Sequence, residues 1–218
     1  MKEKTIFIAI EGSDGSGKET QTILLENRLL EEGYKVKRIS FPSYGTKQAI
    51  LSEEYLSGSF GDSDPKLASI CFAVDRKVTL RTENLEEYDF IIFDRYVKSN
   101  IIHQGRNFVG QQKEEFIKWV EELEYNMFDI PREDIAIFLN MPPEYSFELI
   151  SKRTGKAGIK NDILENLEEM KKAYSNAMSV VEITKMHKIN CVEDGKMKTR
   201  EMISNEIYDY VFSKNERV

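Results

Sequence analysis

Lys18 closes the run Gly12-Ser13-Asp14-Gly15-Ser16-Gly17-Lys18, which follows the apolar residues Thr5 to Ile10 and precedes an amphipathic stretch from Thr20 to Glu32. Glycines at such spacing can take left-handed backbone angles, so successive amides turn inward and form an anion nest at a helix N-terminus. Lys18 adds one mobile positive charge. The chemistry implied is the cradling of a nucleotide triphosphate; the rival reading is a plain strand-turn-helix. Leu24, Leu25, Leu29 and the stop at Gly33 give the following helix its apolar stripe and its end, which favours the cradle. One position departs from the pattern: where a Ser or Thr hydroxyl would hold magnesium, the chain has Glu19, followed by Thr20.

Three further groups could do chemistry with a phosphate or a base. Asp94, after Phe90 to Phe93, stands where a strand-end carboxylate holds magnesium directly or through water; the alternative is a helix cap. Arg95 beside it can fork onto a second phosphate, or form a surface ion pair. Phe72 and Arg76 are four residues apart, so on a helix they share a face on which a ring and a guanidinium could address one planar ligand. Core plus surface is the plain alternative.

Positioning these groups requires a particular scaffold. Apolar runs at Ile6 to Ile10, Val36 to Ser40, Phe90 to Phe93, Ile135 to Leu139 and His187 to Val192 alternate with helical periodicity. Strands buried on both faces and joined by helices make a parallel sheet, which binds ligands beyond the strands' C-terminal ends. The expected helix faces are Phe116, Trp119, Val120, Leu123 and Met127; Leu164, Leu167, Tyr174, Met178 and Val181; and Ile203, Ile207, Tyr210 and Val211. Asp64 and Pro65 read as N-cap and first residue of the helix that carries Phe72 and Arg76.

The chain has 218 residues, 40% hydrophobic and 32% charged, without a linker or low-complexity run, which suits one globular domain over residues 1–218. Its net charge of -7, with basic residues dispersed, argues against nucleic acid as a partner. The N-terminal apolar run is too short for a signal core or a membrane span, which gives an expectation of cytoplasmic location. Cys71 and Cys191, far apart and inside apolar segments, read as buried free thiols.

Taken in order, FIAIEGSDGSGKETQ, FPSYG, FAVDR, DRYVKSNIIHQG and LEYNMFDIPREDIAIFLNMPPE resemble the thymidylate kinases, and the resemblance covers essentially the whole chain. The most discriminating elements are Asp14 inside the phosphate loop and Asp94-Arg95-Tyr96 followed by Ser99 and Asn100. This resemblance implies the α/β P-loop kinase fold, a five-stranded parallel sheet flanked by helices on both faces, with a mobile lid at about 151–166. It implies transfer of the γ-phosphoryl group of ATP to dTMP with Mg2+ bound through Asp94. Gly12, Ser13, Asp14, Gly15, Ser16, Gly17, Lys18, Glu19 and Thr20 would hold ATP, with Arg153 and Lys156 closing from the lid.

By the same resemblance, Asp14 would hold the deoxyribose 3'-hydroxyl and Arg95 the acceptor phosphate. Phe72 would stack on thymine, Arg76 would bond its O4 edge and Asn100 would face the ring. Tyr96 would lie under the sugar at its 2' carbon, and Phe41 and Tyr44 would line the acceptor site. Some relatives carry an arginine in the phosphate loop; Gly15 and Ser16 stand there in this chain, so the catalytic cation beside Lys18 falls to the lid, to Arg153 first and Lys156 second. The lid also carries Lys160, Asp162 and Glu165. His103 stands where tyrosine is common, and either closes the thymine pocket or is simply packed. The resemblance further implies a homodimer through helices beside the acceptor half. Competing expectations are a kinase of another nucleoside monophosphate or of a deoxynucleoside, and a catalytically degenerate nucleotide binder.

Overall fold

The computed structural model describes residues 4–61, 64–154 and 160–214, apart from the side chains of residues 153, 154 and 160–166. Five parallel strands form one sheet: β1 Ile6–Gly12, β2 Val36–Ser40, β3 Phe90–Asp94, β4 Ile135–Asn140 and β5 His187–Asn190, in the order β2-β3-β1-β4-β5. Strand β1 is central, with Ile10 beside Asp94 of β3 and Gly12 beside Leu139 of β4. Branched and aromatic residues dominate these runs because a strand covered on both faces excludes water from both.

Alternating side chains along each strand feed two separate cores. Ile8, Ile10, Phe90, Ile92, Ile137 and Leu139 pack under helix α1 (Lys18–Glu31), through Leu25 and Leu29, and under α8 (Arg200–Ser213), through Ile203, Ile207 and Val211. The opposite core holds Ala9, Ile91, Phe93 and Phe138. It is covered by α3 (Pro65–Arg81), α4 (Val97–Gln104), α5 (Gly110–Glu121) and α7 (Lys160–Thr184). Helix α2 (Ile50–Leu56) lies against α3, and α6 (Pro143–Thr154) follows β4. As expected, Asp64 caps α3, its carboxylate accepting from the Lys66 amide at 2.5 Å.

Strand β1 continues into a helix on one face of the sheet, while its neighbour β3 continues into a helix on the other. The two connections therefore part at the C-terminal edge and leave a crevice between them, the usual ligand position in such sheets. Gly12 to Lys18 and Asp94 to Tyr96 are the residues that border it.

Two expectations are corrected. The last strand ends at Asn190 instead of Val192, because Val192–Glu193 (β6) turns into an antiparallel pair with Lys196–Met197 (β7). Met127 does not share the apolar face of α5: residues Glu122–Met127 form a π-helical turn, and this wider turn leaves Met127 71% exposed. Segment 155–159, within the expected lid, lies outside the described residues.

Candidate functional site

The loop after β1 is built on backbone conformations that few side chains tolerate. Gly17 is the N-cap of α1 at φ 86°, and Gly15 has φ 76°. A Cβ on Gly15 would meet Ser146 O and Ile150 Cγ1 of α6, both at 2.9 Å. Helix α6 thus occupies the space a side chain at this position would need. Ser13 Oγ and Ser16 Oγ are buried with no partner among the described residues, which leaves two unengaged hydroxyls in the loop.

Lys18 is 7% exposed and its Nζ donates to the Ser13 carbonyl at 2.8 Å. Burial, reinforced by the positive charge of Arg95, lowers its pKa to about 7, with Asp14 and Asp94 pulling the other way. Glu19 is exposed on the first turn of α1. Its charge still reaches Asp94, whose carboxyl it helps to raise. Asp94 is partly buried at the end of β3, and its carboxyl is raised above the usual carboxylate range by burial, against the pull of Lys18 and Arg95.

A buried carboxylate joins the β1 and β3 connections. Glu11, fully buried, accepts from the Tyr96 amide at 2.8 Å, from the Ser99 amide at 3.1 Å and from the Ser99 hydroxyl. Desolvation raises its pKa, opposed by those three hydrogen bonds and by Arg95. Arg95 itself has φ 66°, and its amide donates to Ile10 O at 3.1 Å. Its guanidinium reaches Asp14 through Nη2 and His103 through Nη1. Because an arginine can only donate, His103 Nε2 accepts at 3.0 Å, which makes the imidazole neutral with its proton on Nδ1. Burial and the adjacent Arg95 lower its pKa to about 4. Burial alone would raise the Asp14 carboxyl, but Arg95 and Lys18 hold it below the ordinary range.

Beyond Arg95 opens a cavity of about 390 Å³. Asp14, Phe41, Tyr44 and Phe72 line it, as do Arg76, Arg95, Asn100 and His103, so eight of the nine expected acceptor residues meet at one place. Tyr96 is the correction. It is fully buried, its ring stacked on Phe93 at 4.0 Å and its hydroxyl donating to Pro131 O at 2.6 Å, which makes its side chain part of the core instead of the cavity wall. What Tyr96 contributes to the site is its backbone amide on Glu11. His103, for its part, both lines the cavity and braces Arg95.

The lid residues Arg153 and Lys156 lie outside the residues whose side chains the structure describes. Among the described residues, no group of three or more His, Cys, Asp and Glu is placed to hold a metal by itself. Three supporting acids escaped the sequence reading. Glu11 was visible as an acid ending an apolar strand. Asp75 sits inside the FAVDR run and binds the Ser43 amide at 2.9 Å, which fixes the loop carrying Phe41 and Tyr44. Glu124 lies between Leu123 and Tyr125 and grips Arg76.

Comparison with known proteins agrees with this geometry. The thymidylate kinase family profile matches residues 10–203. A thymidylate kinase of Caldicellulosiruptor saccharolyticus is 32% identical over 217 residues, 94% of this chain and 98% of that one. A probable thymidylate kinase of Pyrobaculum aerophilum is 32% identical over 171 residues, covering 77% of this chain and 80% of its own length. A thymidylate kinase of Mycobacterium tuberculosis is 31% identical over 148 residues, 66% and 69% of the two chains. With its glycine loop, its Asp14–Arg95 bridge and its cavity beyond β3, the chain belongs to the thymidylate kinase family.

Proposed function

We propose that this chain is a thymidylate kinase working as one unit over residues 1–218, transferring the γ-phosphoryl group of ATP to dTMP to give ADP and dTDP. The observation that carries the reading is the Asp14–Arg95 ion pair, which stands between the glycine loop and the acceptor cavity. ATP's phosphates occupy the nest of Gly12 to Lys18, extended by Glu19 and Thr20. The orphaned hydroxyls of Ser13 and Ser16 support that placement by offering donors to an anion. Thymine enters the cavity against Phe72, Arg76 and Asn100, with Asp14 at the sugar, Arg95 at the acceptor phosphate, and Phe41, Tyr44 and His103 enclosing them.

Phosphoryl transfer needs alignment and charge neutralisation more than covalent help from the protein. Arg95 supplies fixed positive charge on the acceptor side, and Lys18 supplies it on the donor side once the phosphates of ATP draw a proton onto it. Arg153, with Lys156, adds charge from the lid. The donor set fits magnesium, which takes one or two carboxylates and otherwise substrate oxygens and water; Asp94 is that carboxylate, and Glu19 stays in solvent. When bound, Mg2+ neutralises the phosphate oxygens along the transfer.

Exposed Leu51, Phe60, Leu67 and Ile70, on and beside the paired helices α2 and α3, support a homodimer through that face, checked by sedimentation mass. Among the described residues no helix is long and apolar enough to cross a membrane. The deciding experiment is ADP release with a panel of acceptors. dTMP should exceed AMP, CMP and thymidine by at least about 100-fold in kcat/KM, as expected of a site that hydrogen-bonds its substrate. Equal rates would overturn the acceptor assignment, and ATP binding without turnover on any acceptor would favour a degenerate binder. In the same assay Asp94→Asn should need more magnesium; normal magnesium dependence would remove Asp94 from the metal.

A further inference from the structure

Two cavity residues, Arg76 and Asn100, are both held by Glu124. Arg76 is 2% exposed and donates from Nε to Glu124 Oε2 at 2.5 Å and from Nη2 to Oε1 at 2.7 Å, a bidentate pair. Asn100 Nδ2 donates to the same Oε1 at 2.9 Å and to the Ser69 carbonyl at 3.0 Å. Both partners of that nitrogen can only accept, so the amide has one permitted orientation. Asn100 Oδ1 is thereby left buried with no partner among the described residues, and the pairing of Arg76 with Glu124 uses Nε and Nη2 and leaves Nη1 out.

Two residues of the cavity wall thus carry, just behind its surface, one acceptor and one pair of donors that Glu124 does not engage. That is the complement of a uracil-type edge, on which a carbonyl at position 4 accepts and N3–H donates. A cytosine-type edge reverses both: its amino group would face the guanidinium and its N3 lone pair would face Oδ1. Glu124 is fully buried, and the turn that carries it is the π-helical segment after α5, the irregularity that also expels Met127. Paired in this way, Arg76 keeps its charge: burial would lower its pKa, but Glu124 raises it above the ordinary value.

We propose that Glu124 is the specificity-determining positioning residue of the base pocket, locking the Asn100 amide and the Arg76 guanidinium in the one polarity that accepts a uracil-type base and rejects a cytosine-type one. This rests on the dTMP kinase reading, but it fails separately: the wild-type acceptor panel tests that reading, and variants at two positions test the lock. Glu124→Gln keeps the shape but lets the amide of Asn100 turn and weakens the pair with Arg76.

It should raise the KM for dTMP by about 10- to 100-fold, in line with the loss of charge-assisted hydrogen bonds. It should lower the dTMP:dCMP ratio of kcat/KM by at least about 10-fold, with kcat less affected and the KM for ATP unchanged. A merely structural role would lower all substrates alike. An unchanged dTMP:dCMP ratio in folded Glu124→Gln overturns the proposal. Should that variant not fold, Asn100 provides the test with Glu124 intact. Asn100→Asp sets a carboxylate against Glu124 and the Ser69 carbonyl, and should raise the KM for dTMP about 10-fold further than Asn100→Ala does. A KM for Asn100→Asp equal to or below that for Asn100→Ala overturns the lock.

Discussion

Replacing Glu11 tests whether the crevice is held by hydrogen-bond satisfaction or by charge. In Glu11→Ala the buried Tyr96 and Ser99 amides lose their acceptor. Each orphaned buried donor costs about 1–3 kcal/mol, so the loss should be about 2–6 kcal/mol against a typical total of about 5–15 kcal/mol. With a urea dependence near ~3 kcal/mol per M, the unfolding midpoint should fall by about 1–2 M without a change in slope. Glu11→Gln is different, because one amide oxygen can keep both backbone donors. Its NH2 then donates to the Ser99 hydroxyl, which reverses its role. Its cost should stay below about 1 kcal/mol.

The pH dependence separates the two variants again. Burial raises the Glu11 carboxyl above its unfolded value, so just above the ordinary carboxylate range the folded state binds more protons than the unfolded chain. Stability therefore falls as pH rises through that window, and Glu11→Gln should abolish this component of the slope. Equilibrium urea unfolding at several pH values reads both effects. If Glu11→Gln and Glu11→Ala lose stability equally, the hydrogen-bond account of the crevice is wrong.

Two further predictions follow from the phosphate loop. Lys18, with a pKa of about 7, is mostly neutral at pH 8, so binding ATP should draw up to about one proton onto it; calorimetry in buffers of different ionisation enthalpy should detect the uptake and Lys18→Met should remove it. Gly15→Ala drives a methyl into α6 at a positive φ and should cost about 1–3 kcal/mol while raising the KM for ATP, read as a lower thermal midpoint and weaker ATP saturation; an unchanged midpoint would show that α6 yields freely.

Sheet and cavity were legible in the sequence to different depths. Strands such as Phe90–Asp94 announce themselves because burial on both faces demands unbroken apolar runs, and turn chemistry marks Gly12 to Lys18 directly. The acceptor residues came from motif order, and all but Tyr96 reach the cavity. Tyr96 went astray because an aromatic next to a strand end suits a ligand and a core equally, and only the stack on Phe93 distinguishes the two. Glu11, Asp75 and Glu124 were hidden for a common reason. A buried acid is recognised by the partners that satisfy it, and Glu11 meets its partners 85 and 88 positions along the chain. The π-helical turn at Glu122–Met127 leaves no periodic signature, since one widened turn only shifts the phase of the helix before it.

Glu11 has a consequence for how this enzyme can be altered. Its carboxylate belongs to the strand that ends in the glycine loop, yet all its hydrogen-bond partners belong to the segment that carries Arg95. With the Arg95 amide on Ile10 O and the Asp14–Arg95 pair, this buried joint fastens the two segments together, and the distance between the phosphates they would hold is inherited from those links. Swapping the acceptor segment for that of another kinase would succeed only if the graft brought two amides and a hydroxyl to the same carboxylate.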